Sequence, residues 1–238
     1  MNLVKSIAIF FFDIIDIYYH QKKIIKYFLK NKINIKYYYD IGSHKGTYTD
    51  LFLKNYKGLK VVMFEPQKKI FNFIKKKYKK NKNVKYFNIA VSNKNSKRLL
   101  FINEHDLTSS FSVFNDKNNY LKFKAILFGR NLHSMIKKKI EIKTITLNEV
   151  LKKNKFLKVD LVKIDTEGHE LDVLQGMKKN LKNIRHILVE IHNDKIYKNY
   201  DPKRVHNFLI RNNYTLKDTF RFPFTTWEDR IYSNKSTK

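Results

Sequence analysis

The sequence predicts an α/β domain built on a mostly parallel sheet that is covered by helices on both faces. Short apolar runs alternate five times with segments of helical periodicity, and the runs are continuously apolar, as in strands buried on both faces. A chain of 238 residues with 42% hydrophobic and 15% aromatic content can also bury one substantial core.

The first half of the chain contributes three predicted strands and two helices of the main domain. The strands are predicted at residues 36–41, 60–64 and 84–91, and the first helix at 47–55. The second helix follows Glu65-Pro66, with the proline at its first position, where the missing N–H costs nothing.

The second half continues the pattern after a less regular segment at residues 92–140. That segment holds a short predicted strand at 98–102 and a polar loop whose Ser109, Ser110, Phe111 and Phe114 either close over a substrate or form an ordinary surface loop. The elements predicted after it are strands at 140–146, 159–164 and 186–191, helices at 147–153, after 164 and from Asp201-Pro202, and a final antiparallel pair at 214–218 and 227–232.

Residues 3–31 are predicted to form one or two helices, so that an N-terminal helical extension (1–35) precedes the main domain (36–238). The apolar stretch at 7–19 is shorter than the roughly 20 residues of a membrane span, and two aspartates interrupt it. It also lacks a signal-peptide cleavage site, so a cytoplasmic location is expected. In an alternative interpretation the extension lies on a membrane surface, with four lysines facing lipid phosphates: Lys22, Lys23, Lys26 and Lys30.

The chain is strongly basic and lacks cysteine. Its 50 Lys and Arg against 21 Asp and Glu give a net charge of +29, which would attract nucleic acid or anionic lipid. The lysine excess accompanies abundant Asn, Ile, Phe and Tyr. This favours the compositional bias of an AT-rich genome as its explanation over a dedicated nucleic-acid-binding surface. The absence of cysteine excludes disulfides, thiolate metal sites and cysteine nucleophiles.

The segment "DIGSHKG", residues 40–46, lies between the first predicted strand and its helix, at the edge where open α/β sheets bind ligands. Gly42 permits a tight turn and the approach of a ligand to the backbone, and Gly46 permits close packing of helix on strand. Glu65 ends the next strand, 25 positions after Asp40, where an acid commonly binds a ribose diol. An adenosine-type cofactor is therefore predicted, although a structural turn would use the same glycines.

The segment "VDLVKIDTEGHE", residues 159–170, brings Asp165, Glu167, His169 and Glu170 to the same predicted edge. Capping of a helix N-terminus accounts for one acid, but it does not need four polar groups in six residues.

Glu190 and His192 end the following strand and point to one face, because side chains two apart in a strand share a face. Two histidines near several carboxylates at a ligand-binding edge favour catalysis over a buried structural histidine.

Several motifs in this order and spacing resemble the FkbM family of S-adenosylmethionine-dependent methyltransferases: "YDIGSHKGTYTDLF", "VVMFEPQKKIF", "NIAVSNKN", "SSFSVFN", "VDLVKIDTEGHELDVLQGM" and "ILVEIH". The resemblance covers about residues 36–192, and "KIDTEGHELDVLQGM" is its most specific part. It implies the class I methyltransferase fold, a doubly wound, Rossmann-like seven-stranded sheet whose last strand is antiparallel. It also implies O-methylation, often of sugar hydroxyls in glycans, glycolipids or natural products.

The resemblance further implies roles for individual residues. The methionine part of the cofactor would be bound by Asp40, Gly42, Ser43 and Gly46. Glu65 would hold the ribose hydroxyls, and Ala90 would flank the adenine through backbone contacts. Asp165, Glu167 and His169 would line the substrate side. The chain has Ser43-His44 where alanine-asparagine is frequent in the family, a departure that leaves the glycines intact.

Methyl transfer is an in-line displacement, so the protein must align the acceptor oxygen and remove its proton. Asp165 or His169 is the predicted base, with Glu190 and His192 orienting the sugar or tuning the base. The same groups could hold Mg²⁺ or another divalent ion that lowers the pKa of the hydroxyl. Because no short ligand motif such as H-E-x-x-H is present, metal-free catalysis is preferred and no metal ligand is assigned.

Two further hypotheses belong to other classes of function. An RNA methyltransferase would exploit the net charge of +29, but the chain has neither a recognisable RNA-binding module nor an N-P-P-[YF] tetrapeptide. A non-catalytic relative that binds glycan or membrane would not need the intact Gly42, Gly46, Glu65 and Asp165.

Overall fold

The computed structural model describes residues 15–103, 109–118, 121–122, 136–154, 159–194, 196–223 and 225–236. The predicted beginning of the N-terminal helix and part of the irregular segment therefore lie outside the described residues. Within those ranges the strands are β1 (Tyr37–Ile41), β2 (Lys60–Phe64), β3 (Val84–Phe87), β4 (Ala90–Val91), β5 (Ser96–Asn103), β6 (Ile136–Ile145), β7 (Val159–Ile164), β8 (Ile184–His192), β9 (Tyr214–Arg221) and β10 (Trp227–Asn234).

Among the described residues, six α-helices precede or connect these strands, and two of them adjoin a different helical turn. A π-helical segment (Asp16–Gln21) leads into α1, and a 3₁₀ segment (Lys178–Asn183) follows α5. The helices are α1 (Lys22–Lys30), α2 (Thr47–Asn55), α3 (Lys68–Tyr78), α4 (Leu147–Asn154), α5 (Glu170–Gly176) and α6 (Pro202–Arg211).

Seven strands form one sheet in the order β3-β2-β1-β7-β8-β10-β9. The pairs from β3 to β8 are parallel, and β10 runs antiparallel to both β8 and β9. The predicted doubly wound sheet with an antiparallel last strand is confirmed. Its order reverses beside β1, so the carboxyl ends of β1, β2 and β7 meet at the topological switch point, where such sheets bind ligands.

The segment predicted as one strand at 84–91 is divided between two sheets, so that prediction was wrong. β3 pairs with β2, whereas β4 pairs with β6 in a separate three-stranded sheet of order β4-β6-β5. Asn88 stabilises the bend between them, because its side-chain amide donates to the carbonyl oxygens of Glu65 and Pro66, each at 2.9 Å.

The helix after Glu65-Pro66 begins two residues later than predicted. Gln67 has an extended backbone, and its N–H donates to a carboxylate oxygen of Glu65 at 2.8 Å, so the first helical residue is Lys68 rather than Pro66.

Two hydrophobic clusters cover the two faces of the large sheet. One lies beneath α4, α5 and α6, and the other beneath α1, α2 and α3. The apolar face of α1 packs into the second cluster, where the Phe28 and Phe52 rings are 5.7 Å apart. The basic face of α1 is exposed, so this helix uses its apolar residues against the protein. Among the described residues, no helix combines the length and hydrophobicity that crossing a bilayer requires.

Candidate active site

A cleft lies at the carboxyl ends of β1, β2 and β7. Its apolar walls come from Phe64, from Ile89 to Val91 and from Leu100. The carboxylates that line the cleft lie on two sides. Glu65 is on the β2 side, and Asp165 and Glu167 are in the turn on the β7 side.

Gly42 forms the turn between β1 and the cleft. Its φ of +75° is unfavourable for any residue with a side chain, and a Cβ there would lie 1.7 Å from the carbonyl oxygen of Asp165. A side chain at position 42 would therefore clash with the backbone that follows β7, whether or not a ligand occupies the cleft. This glycine allows the two strand ends that build the site to touch.

Glu65 lies almost buried at the bottom of the cleft. One carboxylate oxygen accepts from the N–H of His44 at 3.0 Å and the other from the N–H of Gln67 at 2.8 Å. Each oxygen keeps a second lone pair for a ligand. Burial raises the pKa of Glu65 to about 7, despite the lowering by these two hydrogen bonds.

Three of the residues predicted to bind a cofactor lie just behind the cleft. Asp40 is fully buried and accepts from the Thr49 hydroxyl at 2.7 Å, which fastens α2 to β1. Ser43 is buried, and its hydroxyl donates to the carbonyl of Phe64 at 3.3 Å. Gly46 precedes α2, where a Cβ would lie 2.5 Å from the Tyr78 hydroxyl, in agreement with the packing role predicted for it. Ala90, by contrast, lines the cleft.

Asp165 lines the opposite side and is paired with a buried cation. The ammonium group of Lys163 lies 3.0 Å from Oδ2 of Asp165 and 3.7 Å from Oδ1 of Asp40. Burial raises the pKa of Asp165, and Lys163 opposes that rise. Lys163 lies inside the mostly apolar strand β7, and a lysine buried in a strand indicates a paired acid, a signal present in the sequence.

Glu167, Glu190 and His192 converge beside Asp165. Nε2 of His192 lies 3.0 Å from Glu190 Oε1 and 3.3 Å from Glu167 Oε2. Burial alone would lower the pKa of His192, but the two carboxylates raise it well above its usual value. Burial, together with Asp165, raises the pKa of Glu190 well above its usual value.

The turn after β7 is held by hydrogen bonds that the sequence did not indicate. Glu170 accepts from the backbone N–H groups of Thr166 and Gly168 at 3.1 and 3.0 Å, which makes it an anchor of the turn. The hydroxyl of Tyr197 donates to Glu167, and the hydroxyl of Ser110 donates to the carbonyl of Glu167.

Two residues of the irregular loop, Ser109 and Phe111, line the cleft. This loop therefore forms part of the wall of the cleft.

His169 lies outside the group around Glu167. Its Nε2 is 3.0 Å from the Ser92 hydroxyl, and its Nδ1 is 3.2 Å from Asp172. Burial lowers the pKa of His169 to about 4, although Asp172 opposes this. The ring is therefore neutral and weakly basic at pH 7, and it links the start of α5 to the three-stranded sheet through Ser92 and Arg98.

The sequence profile of the "Methyltransferase FkbM domain" family matches residues 40–216, which is most of the chain and includes the ends of β1, β2, β7 and β8. The chain belongs to the FkbM methyltransferase family. This confirms the family resemblance, and with it S-adenosylmethionine as the cofactor of the domain.

A curated relative is a methyltransferase, and two solved structures share the fold. Over 68 residues this FkbM chain is 41% identical to the hexuronic acid methyltransferase AglP of Haloferax volcanii, a match that spans 29% of the chain and 26% of AglP. In fold it is similar to an S-adenosylmethionine-dependent methyltransferase from Clostridium acetobutylicum (TM-score 0.53, 10% identity, 98% of this chain and 99% of the other). It is also similar to an uncharacterised Listeria monocytogenes protein (TM-score 0.52, 11% identity, 92% and 68% covered).

The cleft of this FkbM domain fits S-adenosylmethionine. The two free lone pairs on the Glu65 carboxylate suit a ribose diol, and the apolar wall around Ala90 suits an adenine ring. The turn at Gly42 would receive the methionine part. When bound, the cofactor supplies an electrophilic methyl group.

The affinity for S-adenosylhomocysteine is expected to fall as the pH falls below 7. In the role predicted for Glu65, the ribose hydroxyls would donate to its ionised carboxylate. Below its pKa of about 7 this residue binds a proton, which would have to be released on binding. Between pH 7.5 and 5.5 the dissociation constant should rise by about tenfold or more. Calorimetric titrations across this range would measure it. Glu65→Gln should bind weakly with little pH dependence, and an equal slope in this variant would contradict the assignment.

Proposed function

We propose that the protein transfers the methyl group of S-adenosylmethionine to a hydroxyl group of a sugar, within a glycan, glycolipid or glycosylated natural product. The observation that carries the proposal is the carboxylate-rich β7 side of the cleft, where Asp165 and Glu167 face the cofactor side marked by Glu65. Carboxylates accept hydrogen bonds from sugar hydroxyls and can remove a proton from one of them.

In the proposed reaction the acceptor oxygen attacks the methyl carbon, and an O–C bond forms as the S–C bond breaks. The electron pair of that bond stays on sulfur, and the hydroxyl proton goes to Asp165. Asp165 is preferred to His169 because it lines the cleft, whereas both ring nitrogens of His169 face Ser92, Arg98 and Asp172. Lys163 would keep Asp165 ionised until the proton is transferred.

The choice of a sugar acceptor has support from two sides. The partial match to AglP joins this chain to a protein named for methylation of a hexuronic acid. The acidic lining also disfavours an RNA acceptor, because the phosphates of RNA would meet two carboxylates beside the reacting group.

The test combines cofactor binding with methyl transfer. Wild-type protein should bind S-adenosylhomocysteine with micromolar affinity by calorimetry, and Glu65→Ala should bind at least tenfold more weakly because it removes the acceptor for the ribose. With radiolabelled S-adenosylmethionine, label should then pass to oligosaccharides, including ones that contain uronic acids. Alkaline treatment, which cleaves methyl esters, should not release this label.

The controls separate the competing functions. Label found in RNA instead of oligosaccharide would show that the acceptor is a nucleic acid and not a sugar. Cofactor binding without transfer to any polysaccharide or glycolipid fraction would contradict the sugar acceptor. A folded protein that does not bind S-adenosylhomocysteine would contradict the enzyme activity itself.

A further inference from the structure

Glu167, Glu190 and His192 form a compact group of potential metal ligands that comes from two strand ends. Glu167 belongs to the turn after β7, and the other two belong to the end of β8. One ligand atom from each residue lies within 4.8 Å of the others. The side chains are mostly buried, with 14%, 13% and 5% of the Glu167, Glu190 and His192 side chains exposed.

The distances in this group fit a shared divalent cation. Metal–ligand bonds of about 2.0–2.1 Å place neighbouring ligand atoms about 2.9 Å apart in an octahedral site and about 3.3 Å apart in a tetrahedral one. The separations from His192 Nε2 are 3.0 Å to Glu190 and 3.3 Å to Glu167. Each of the two carboxylates therefore lies at the edge length of a coordination shell from the imidazole nitrogen.

Hydrogen bonds do not account for the same arrangement. His192 is 4% exposed, and neither of its ring nitrogens makes a hydrogen bond of acceptable geometry with any residue that the structure describes. Its Nε2 nevertheless lies between two carboxylate oxygens, 3.0 Å from Glu190 and 3.3 Å from Glu167. Glu167 reaches the group from a left-handed backbone (φ +55°), a conformation that a glutamate adopts only when its surroundings impose it.

We infer that Glu167, Glu190 and His192 bind one divalent cation, with Mn²⁺ or Mg²⁺ as the favoured class because two of the three ligands are carboxylates. Three protein ligands leave coordination positions open for water or for an acceptor oxygen. From the sequence a divalent ion was only a less favoured alternative, because Glu167 lies 23 and 25 positions before Glu190 and His192 and the three form no short ligand motif.

The inference extends the proposed function and rests on it for its chemical role. A cation next to Asp165 would bind the acceptor hydroxyl, lower its pKa and orient it towards the methyl group. Asp165 would take the proton, and the methyl group would pass from sulfur to oxygen as before. Vicinal hydroxyls, or a hydroxyl beside a carboxylate, would chelate such a cation, so the site favours acceptors that carry them.

Binding of Mn²⁺ to the full chain without a purification tag provides the test. After treatment with EDTA and dialysis, the wild type should bind about one Mn²⁺ per chain, measured by loss of the electron paramagnetic resonance signal of free Mn²⁺. Glu190→Gln and His192→Gln should each weaken this binding at least tenfold. Both variants should retain affinity for S-adenosylhomocysteine, which shows that the fold is intact.

Glu65→Gln is the matched control, a buried carboxylate at the same sheet edge. It should lose affinity for S-adenosylhomocysteine and keep that for Mn²⁺, so that the two sites fail separately. Absence of Mn²⁺ binding by the wild type at millimolar concentration, or wild-type binding by Glu190→Gln, would overturn the cation site and leave the proposed methyl transfer standing. Binding of Mn²⁺ that depends on Glu190, in a protein that transfers no methyl group, would support the site and reject the function.

Discussion

Gly42→Ala is expected to destabilise the protein by about 3 kcal/mol or more and to abolish detectable cofactor binding. The new Cβ would sit 1.7 Å from the carbonyl oxygen of Asp165, in a backbone conformation with φ +75°. The two atoms closest to this Cβ, the carbonyl oxygen and carbonyl carbon of Asp165, belong to the backbone, so no side-chain rotation can relieve the clash. The turn after β1 and the turn after β7 would have to separate, which disrupts the two walls of the cleft.

Gly58→Ala is the matched control for this prediction. Gly58 has the same φ of +75°, but a Cβ there would meet nothing within 4 Å. Its substitution should cost only the left-handed conformation, about 1 kcal/mol, and leave cofactor affinity unchanged. Urea unfolding and S-adenosylhomocysteine titration of both variants measure the difference, which isolates the steric contact. Equal losses of stability in the two variants would show that Gly42 matters only for its backbone conformation.

The sequence was sufficient for the parallel strands of the main sheet because these strands are largely apolar runs bounded by turn residues. The predicted bounds 60–64 and 159–164 coincide with β2 and β7. The three-stranded sheet was not predictable in the same way. β6 carries the run Lys137 to Lys139, and its pairing with β4 joins residues that are far apart in the chain, so periodicity within a window does not detect it.

The sequence also predicted that acids and histidines would meet at one edge, because that follows from strand ends alone. It could not distinguish the partners of each group. His169 and His192 look equivalent in the sequence, yet one contacts Ser92 and the other contacts Glu190. The contact of Tyr197 with Glu167 depends on the path of a loop after β8, and no local pattern encodes that path.

Asp165→Asn should reduce turnover by about 10²- to 10⁴-fold, the range that a general base contributes. The amide has the shape of the carboxylate but cannot take the proton of the acceptor hydroxyl. Lys163 retains Asp40 at 3.7 Å, so the variant keeps a partner for the buried ammonium group. Affinity for S-adenosylhomocysteine should change by no more than about threefold, because the residues proposed to contact the ribose and adenine, Glu65 and Ala90, lie on the other side of the cleft from Asp165.

Steady-state kinetics with the sugar acceptor found by radiolabelling would measure this loss, with Asp172→Asn as an isosteric control. Asp172 faces His169 outside the cleft, so its variant should keep turnover within about threefold of wild type.

His169→Gln tests the alternative assignment of His169 as the general base. It should lose stability with its contacts to Ser92 and Asp172 while retaining most of its turnover. The reverse pattern, full turnover in Asp165→Asn and a loss of 10²-fold or more in a folded His169→Gln, would transfer the role of base to His169. The acceptor would then have to approach from the side of the three-stranded sheet, where Ser92 and Arg98 lie.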